Sequence, residues 1–137
     1  MGPEKNLDQL LNSLNPYLQA KKFVFCSISQ QTFDQLSIEP LCAFREEEGI
    51  TIIIDVEEAD LFALPYASTW ALITCGVHSA LTAVGLLAAL ADKLAAAGIG
   101  VNVVSAYYHD HLFVPAGEAE RALALLRQTS IAESGNS

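Results

Sequence analysis

Positive charge is scarce in this chain: seven lysines and arginines stand against sixteen acids, a formal net charge of −9 over 137 residues. That balance repels phosphate backbones and anionic lipid surfaces, so neither nucleic acid nor membrane is an expected partner. Cysteine is sparse as well. Cys26, Cys42 and Cys75 are odd in number, lie far apart and show no CxxC or Cys/His ligand spacing. A disulfide framework and a zinc ribbon are thereby excluded, and buried reduced thiols in a cytoplasmic protein are expected. The opening MGPEKNLDQLL has no apolar h-region and no small-residue cleavage site, and Asn6 stands where a myristoylation motif has Ser or Thr, so neither secretion nor acylation is expected. An uninterrupted membrane-length run is missing too. The longest apolar stretch, Ser79 to Gly100, is alanine-rich and broken by Asp92 and Lys93, which favours a soluble helix over a span of ~20 apolar residues.

What the chain does have is apolar content, 52% of its residues, enough for one compact domain or two small ones sharing a core. Leu10, Leu11, Leu14 and Leu18 fall at helical spacing and predict a short docking helix over Asp8 to Leu18, ended or kinked by Asn15 and Pro16. FVFCSI, Phe23 to Ile28, is uncharged, aromatic and β-branched, and reads as a buried strand. Gln30 to Pro40 is polar and turn-rich. Leu41 to Phe44 and Ile50 to Val56 then flank Glu46-Glu47-Glu48-Gly49, a hairpin with a solvated acidic tip in which adjacent carboxylates point apart and so make no metal site. Charge thins after this point: eleven acids and four bases up to Tyr66, five and three from Ala67 on. The expected division is therefore an N-terminal half over residues 1–66, a second domain over 67–128 and a flexible tail over 129–137, with no internal repeat beyond a faint echo between the halves.

The second half reads as β-α-β-β-α. Trp70 to Thr74 is a buried strand, Cys75-Gly76-Val77-His78-Ser79 a turn with Ser79 as N-cap, and a long helix runs to about Ala97. Leu81, Val84, Ala88, Ala91 and Ala95 form one stripe of it and Leu86, Leu87, Leu90 and Leu94 a second. A helix with more apolar surface than its own sheet needs points to a homodimer. Gly98 and Gly100 end the helix, Val101 to Tyr108 is a strand, a turn at His109-Asp110 returns the chain to Pro115, and Gly117 to Gln128 is the last helix. Tyr107 and Tyr108 on a strand would alternate faces, one of them in the core. A final strand is missing from this unit, and FVFCSI is the segment available to fill the gap. Chemistry-bearing residues gather at the turns. Backbone amides at a helix start suit a carboxylate, and an acid at the next turn, Asp110, suits an ammonium, although Asp is equally at home in a hairpin tip for its own local hydrogen bonds. His78, His109 and His111 lack the spacing of a metal site, and none is expected. Cys75 with His78 is the best nucleophile and base the chain offers, but no third orienting group can be named, so no enzyme is expected.

Thr69-Trp70, the Gly76 to Ser79 turn, Gly85, LAAAGIGV, and above all SAYYHDHLFVP from Ser105 to Pro115 resemble an ACT domain. The resemblance is closest to aspartokinase-type ACT domains and CASTOR-type amino-acid sensors, and it reaches upstream into REEEGITIIIDVEEADLFALP. It implies an α+β, ferredoxin-like ACT βαββαβ sandwich, preceded by a smaller ACT-like half that completes the sheet. It further implies a stand-alone regulatory protein, with no cofactor, that binds a small amino acid or related metabolite at a domain or subunit interface. Carried over position by position, the ligand contacts are Cys75, Gly76, Val77, His78, Ser79, Ala80, Ala83, Val84, Ala106, Tyr107 and Asp110. Ser79 to Gly85 holds no acid, a departure from the arginine-sensing members that leaves a guanidinium without its second carboxylate. The rival reading is a structural dimerisation module with no small ligand.

Overall fold

The computed structural model describes residues 15–76 and 84–135, with side chains at 15–76 and 88–127. The chain runs β1 (Tyr17–Ile28), α1 (Gln30–Gln35), β2 (Cys42–Arg45), β3 (Ile50–Asp55), α2 (Val56–Leu61), β4 (Trp70–Cys75), α3 (Val84–Ala96), β5 (Asn102–Ser105), β6 (Asp110–Pro115), a single 3-10 turn at Ala116–Glu118, and α4 (Ala119–Gly135). The path β-α-β-β-α thus occurs twice, and the fold is α+β and ferredoxin-like. Among the described residues no helix is long and apolar enough to cross a membrane.

The chain divides into two compact units, one of residues 20–70 and the other of residues 15–19 together with 71 onward. In the first, the strand order is β2-β3-β1. β1 and β3 run antiparallel with Phe23 opposite Asp55 and Ile28 opposite Ile50, and β2 pairs with β3 from Cys42 opposite Ile53 to Arg45 opposite Ile50. Val24, Cys26, Ile28, Ile50, Ile52 and Ile54 bury one face of these strands against Ala59 and Leu64. Two short helices lie where the sequence reads as polar turn and junction. Each owes its start to a capping side chain: Ser29 Oγ accepts from the Thr32 amide at 3.0 Å, and Asp55 Oδ1 from the Glu57 amide at 3.0 Å, which satisfies amides that have no partner inside the helix. Gly49 closes the hairpin. A Cβ on it would stand 2.7 Å from the Ile28 carbonyl oxygen, so only glycine fits without a shift of the backbone.

In the second unit the order is β1-β4-β6-β5, so β1 belongs to both orders, with Tyr17 to Gln19 contributing here. It fills the strand position missing after α4, but with Tyr17 to Gln19 rather than with the expected FVFCSI, which lies in the first unit. Leu18 is accordingly a strand residue packed against this core, not the end of a helix; the rest of the helix expected over Asp8 to Leu18 lies mostly outside the described residues. Ala71, Ile73, Cys75, Leu112 and Val114 pack against Leu90, Leu94 and Ile99 and against Ala122, Leu123 and Leu126 of α4.

The stripe assignment on α3 is corrected by this packing. Leu90 and Leu94 are fully buried in the unit's own core, whereas Ala88 and Ala95 are exposed and Ala91 is half-buried. Leucine removes more apolar area from water than alanine does, so Leu90 and Leu94 take the inner face; Leu81, Val84, Leu86 and Leu87 lie outside the described side chains. The end of α3 follows the expected glycine rule: Gly98, at φ 77°, donates to Ala95 O at 2.9 Å while Ile99 donates to Leu94 O at 3.0 Å, the paired bonds of a Schellman cap. α2 ends the same way on Ala63 at φ 54°, with Leu64 donating to Ala59 O at 2.9 Å. At the other end of the chain, the backbone of α4 continues through Gly135, so residues 129–135 are helical where TSIAES reads as a tail. Adding a turn to an anchored helix costs far less than nucleating one.

Candidate functional site

β4 ends at Cys75 and β6 starts at Asp110, placing one sequence-expected residue at the end of each strand. The hairpin before β6 turns at Tyr107 and Tyr108, closed by the Ala106 amide donating to His109 O at 2.9 Å, rather than at His109-Asp110. Two expectations change as a result. Both tyrosines are exposed, 76% and 62%, with their rings edge to face at 4.9 Å, because turn residues do not alternate as strand residues do. Asp110 is not in a solvated tip. It is the first strand residue, shares a face with Leu112 and Val114 by strand alternation, and is wholly buried.

Neither carboxylate oxygen of Asp110 has a hydrogen-bond partner among the described residues. Buried polar groups are almost always paired, and this one lies on the strand face it shares with the buried Leu112 and Val114. Its charge reaches Cys75, whose thiol is pushed up to about 12, first by burial and second by that carboxylate. Such a thiol is not a nucleophile at neutral pH. Gly76 follows, and a Cβ there would meet His109 Cδ2 only at 4.0 Å, so the backbone at this end of β4 is open to close approach. Cys75, Gly76 and Asp110 are therefore gathered at one end of the unit, with Ala106 and Tyr107 in the adjoining turn. Val84 begins the described part of α3, and the expected contacts Val77, His78, Ser79, Ala80 and Ala83 lie outside the described residues.

The opposite face of the same strands carries a polar chain that the sequence does not reveal. Gln19 Nε2 donates to Thr74 Oγ1 at 2.8 Å, and Thr74 Oγ1 lies 3.0 Å from His111 Nδ1. Thr74 Oγ1 accepts the Gln19 hydrogen and has a second lone pair and its own proton free for His111, so it either donates to Nδ1 or accepts from Nδ1–H according to the histidine tautomer. His109 sits on the same side, its ring centroid 6.0 Å from that of His111. Period-two alternation on β6 would have paired His109 with His111, but nothing in the sequence links Gln19 to Thr74. Among the described residues no three His, Cys, Asp or Glu side chains gather as a metal would need.

Burial, and after it the His109 charge, hold His111 below its ordinary 6.5, with Asp110 opposing. The unfolded chain therefore takes up this proton more readily than the folded one. The stability that neutral His111 confers is complete above about pH 6.5 and is lost as pH falls through the lowered folded value. Urea midpoints taken between about pH 8 and pH 5 should fall on the acid side, and His111→Gln should flatten that dependence. An equal acid slope in wild type and variant would assign the effect to other groups.

A twice-repeated βαββα path with a buried carboxylate at one strand end defines a tandem ferredoxin-like protein. Comparison with known proteins then gives the family. Residues 2–71 match one ACT-domain model and residues 66–128 another, and the chain belongs to the ACT domain family. No curated protein matches it. Among solved structures it is similar to a Vibrio cholerae protein of unknown function, described as a possible transport protein, at 43% identity and TM-score 0.84, covering 94% of this chain and 99% of that one. It also shares its fold with the regulatory subunits of aspartate kinase from Thermus thermophilus, at 12% identity, TM-score 0.66 and coverage of 85% and 97%, and from Thermus flavus, at 12%, 0.65, 85% and 98%.

Proposed function

We propose that the chain is a stand-alone regulatory ACT protein of the cytoplasm, without catalysis of its own, that binds a small amino acid or related metabolite at Asp110. The carrying observation is the buried carboxylate of Asp110, without a hydrogen-bond partner among the described residues. An unpaired buried charge is costly, and a ligand ammonium would offset that cost. The regulatory subunits of aspartate kinase that share this fold support a regulatory role, and the inert Cys75 thiol argues against nucleophilic chemistry at the same place. The ligand's carboxylate would be met by backbone amides from Gly76 to Ala80.

A thermal-shift screen of the twenty common amino acids tests the reading. At ~100 times its dissociation constant a true ligand adds about 2.7 kcal/mol, roughly 8–10 °C for a chain of this length. No shift with any of them would leave the structural dimerisation module as the better reading.

Homodimerisation is part of the proposal, but Leu90 and Leu94 are used inside the unit and do not support it. The edge strands are its support: Phe44 on β2 is 68% exposed and Val103 on β5 is 38% exposed, and among the described residues neither edge has a strand on its outer side within its unit. Sedimentation at the mass of one chain, with and without amino acid, would rule the dimer out.

A further inference from the structure

The two hairpins are copies of one another in backbone. Cys42 opposite Ile53 and Arg45 opposite Ile50 in the first repeat become Asn102 opposite Phe113 and Ser105 opposite Asp110 in the second. The offset is constant at 60 residues, since 102 − 42 and 110 − 50 agree. The turns keep it as well: the Glu46 amide donates to Gly49 O at 2.8 Å where the Ala106 amide donates to His109 O at 2.9 Å. Burial along β3 and β6 is identical position by position. Ile52, Ile53 and Ile54 are answered by Leu112, Phe113 and Val114, all buried and all apolar. One buried pair breaks the rule. Ile50 packs with Ile28 and Ile52 in its unit's core, and its counterpart is Asp110, fully buried with both oxygens unpartnered among the described residues.

A backbone that accepts isoleucine at this place in one copy has no structural need of a carboxylate in the other. We infer that the chain holds a single site for a compact cationic group, in the second repeat only; that Ile50 closes its counterpart in the first; and that Asp110 is kept at a cost in stability. The inference rests on the reading of Asp110 as ligand-facing. Its stability arm needs no ligand, and its binding arm needs no amino acid.

The ligand-free protein is compared with Asp110→Ile and Asp110→Ala by thermal unfolding. Replacing a lone buried charge with an apolar side chain is often stabilising, and a rise in Tm on the order of 5 °C is expected in one of the two. Isoleucine is bulkier than aspartate and alanine leaves a small void, so the pair brackets the fit. The inference holds if either variant matches or exceeds wild type, and falls if both unfold well below it, since Asp110 would then be a structural group. In the second arm methylammonium chloride is the probe, with sodium chloride at equal ionic strength as control. It should raise the Tm of wild type and leave Asp110→Ala unmoved. A gain that persists in Asp110→Ala would place a cation site elsewhere and overturn the single-site assignment, as would no gain in wild type. A methylammonium response without any amino-acid response would preserve this inference while removing the amino-acid reading.

Discussion

A fragment that begins at Ala67 is expected not to fold. It retains β4, β5, β6, α3 and α4 but loses β1, whose first residues belong to the same compact unit as those elements. With β1 gone, one edge of β4 loses its neighbour, Leu18 leaves the core cluster, and Thr74 loses the Gln19 amide that donates to it. β4 is buried along Ala71 to Cys75, so the newly bared edge is long, apolar and uncharged, the kind that recruits other chains. Aggregation, or a broad non-cooperative melt by circular dichroism, is the expected outcome. The complementary full chain should unfold in a single sharp transition. A soluble fragment with dispersed amide resonances and a cooperative urea transition would show that the second repeat is self-sufficient.

Asp110→Asn should weaken binding of the amino acid selected by the thermal screen by about 10 to 100-fold, the loss of one charge-assisted hydrogen bond of roughly 1.5–3 kcal/mol. The change keeps the shape of the side chain and removes its charge. Because neither oxygen has a partner among the described residues, the apo protein should unfold at nearly the wild-type temperature. Calorimetric titration gives the affinity and a melt gives the stability. Unchanged affinity would take Asp110 out of the site, and a large loss of apo stability would make the carboxylate a structural element.

Much of the fold is legible in the residues, because strand and glycine signals are local. The Glu46 to Gly49 hairpin, the WALIT strand and the glycine end of α3 each depend on chemistry within a few positions. That a βαββα run leaves an unfilled strand place was readable, but not the segment that fills it: FVFCSI belongs to the first unit, and Tyr17 to Gln19, which lie where a helix is expected to end, join the second. Other features were not. α1 and α2 are six residues each, too short to show a helical period, and they exist because Ser29 and Asp55 cap them. The leucine and alanine stripes of α3 are both apolar in sequence, and only packing decides which one faces in. The repeat is not legible in the residues because its constancy lies in register and burial: between Ile50 to Asp55 and Asp110 to Pro115 no residue is shared. The site was half legible. Asp110 could be named, but whether it sat in water or in the core depended on where the turn fell. A shift from His109-Asp110 to Tyr107-Tyr108 decided that.

The place of β1 has a kinetic consequence. Gln19 and Thr74 are 55 residues apart in sequence when they meet, and the strand that completes the second unit is the first one in the described chain. Closing so long a loop is entropically unfavourable before any contact rewards it, and folds dominated by such distant pairings form in milliseconds to seconds rather than microseconds. On a ribosome, the N-terminal strand must wait for β4 to emerge before this pairing can form. Stopped-flow refolding should therefore show the second unit's core, followed by a probe near Leu126, acquiring its structure no faster than that slow regime. A microsecond phase at that probe would mean that the second repeat collapses before β1 arrives.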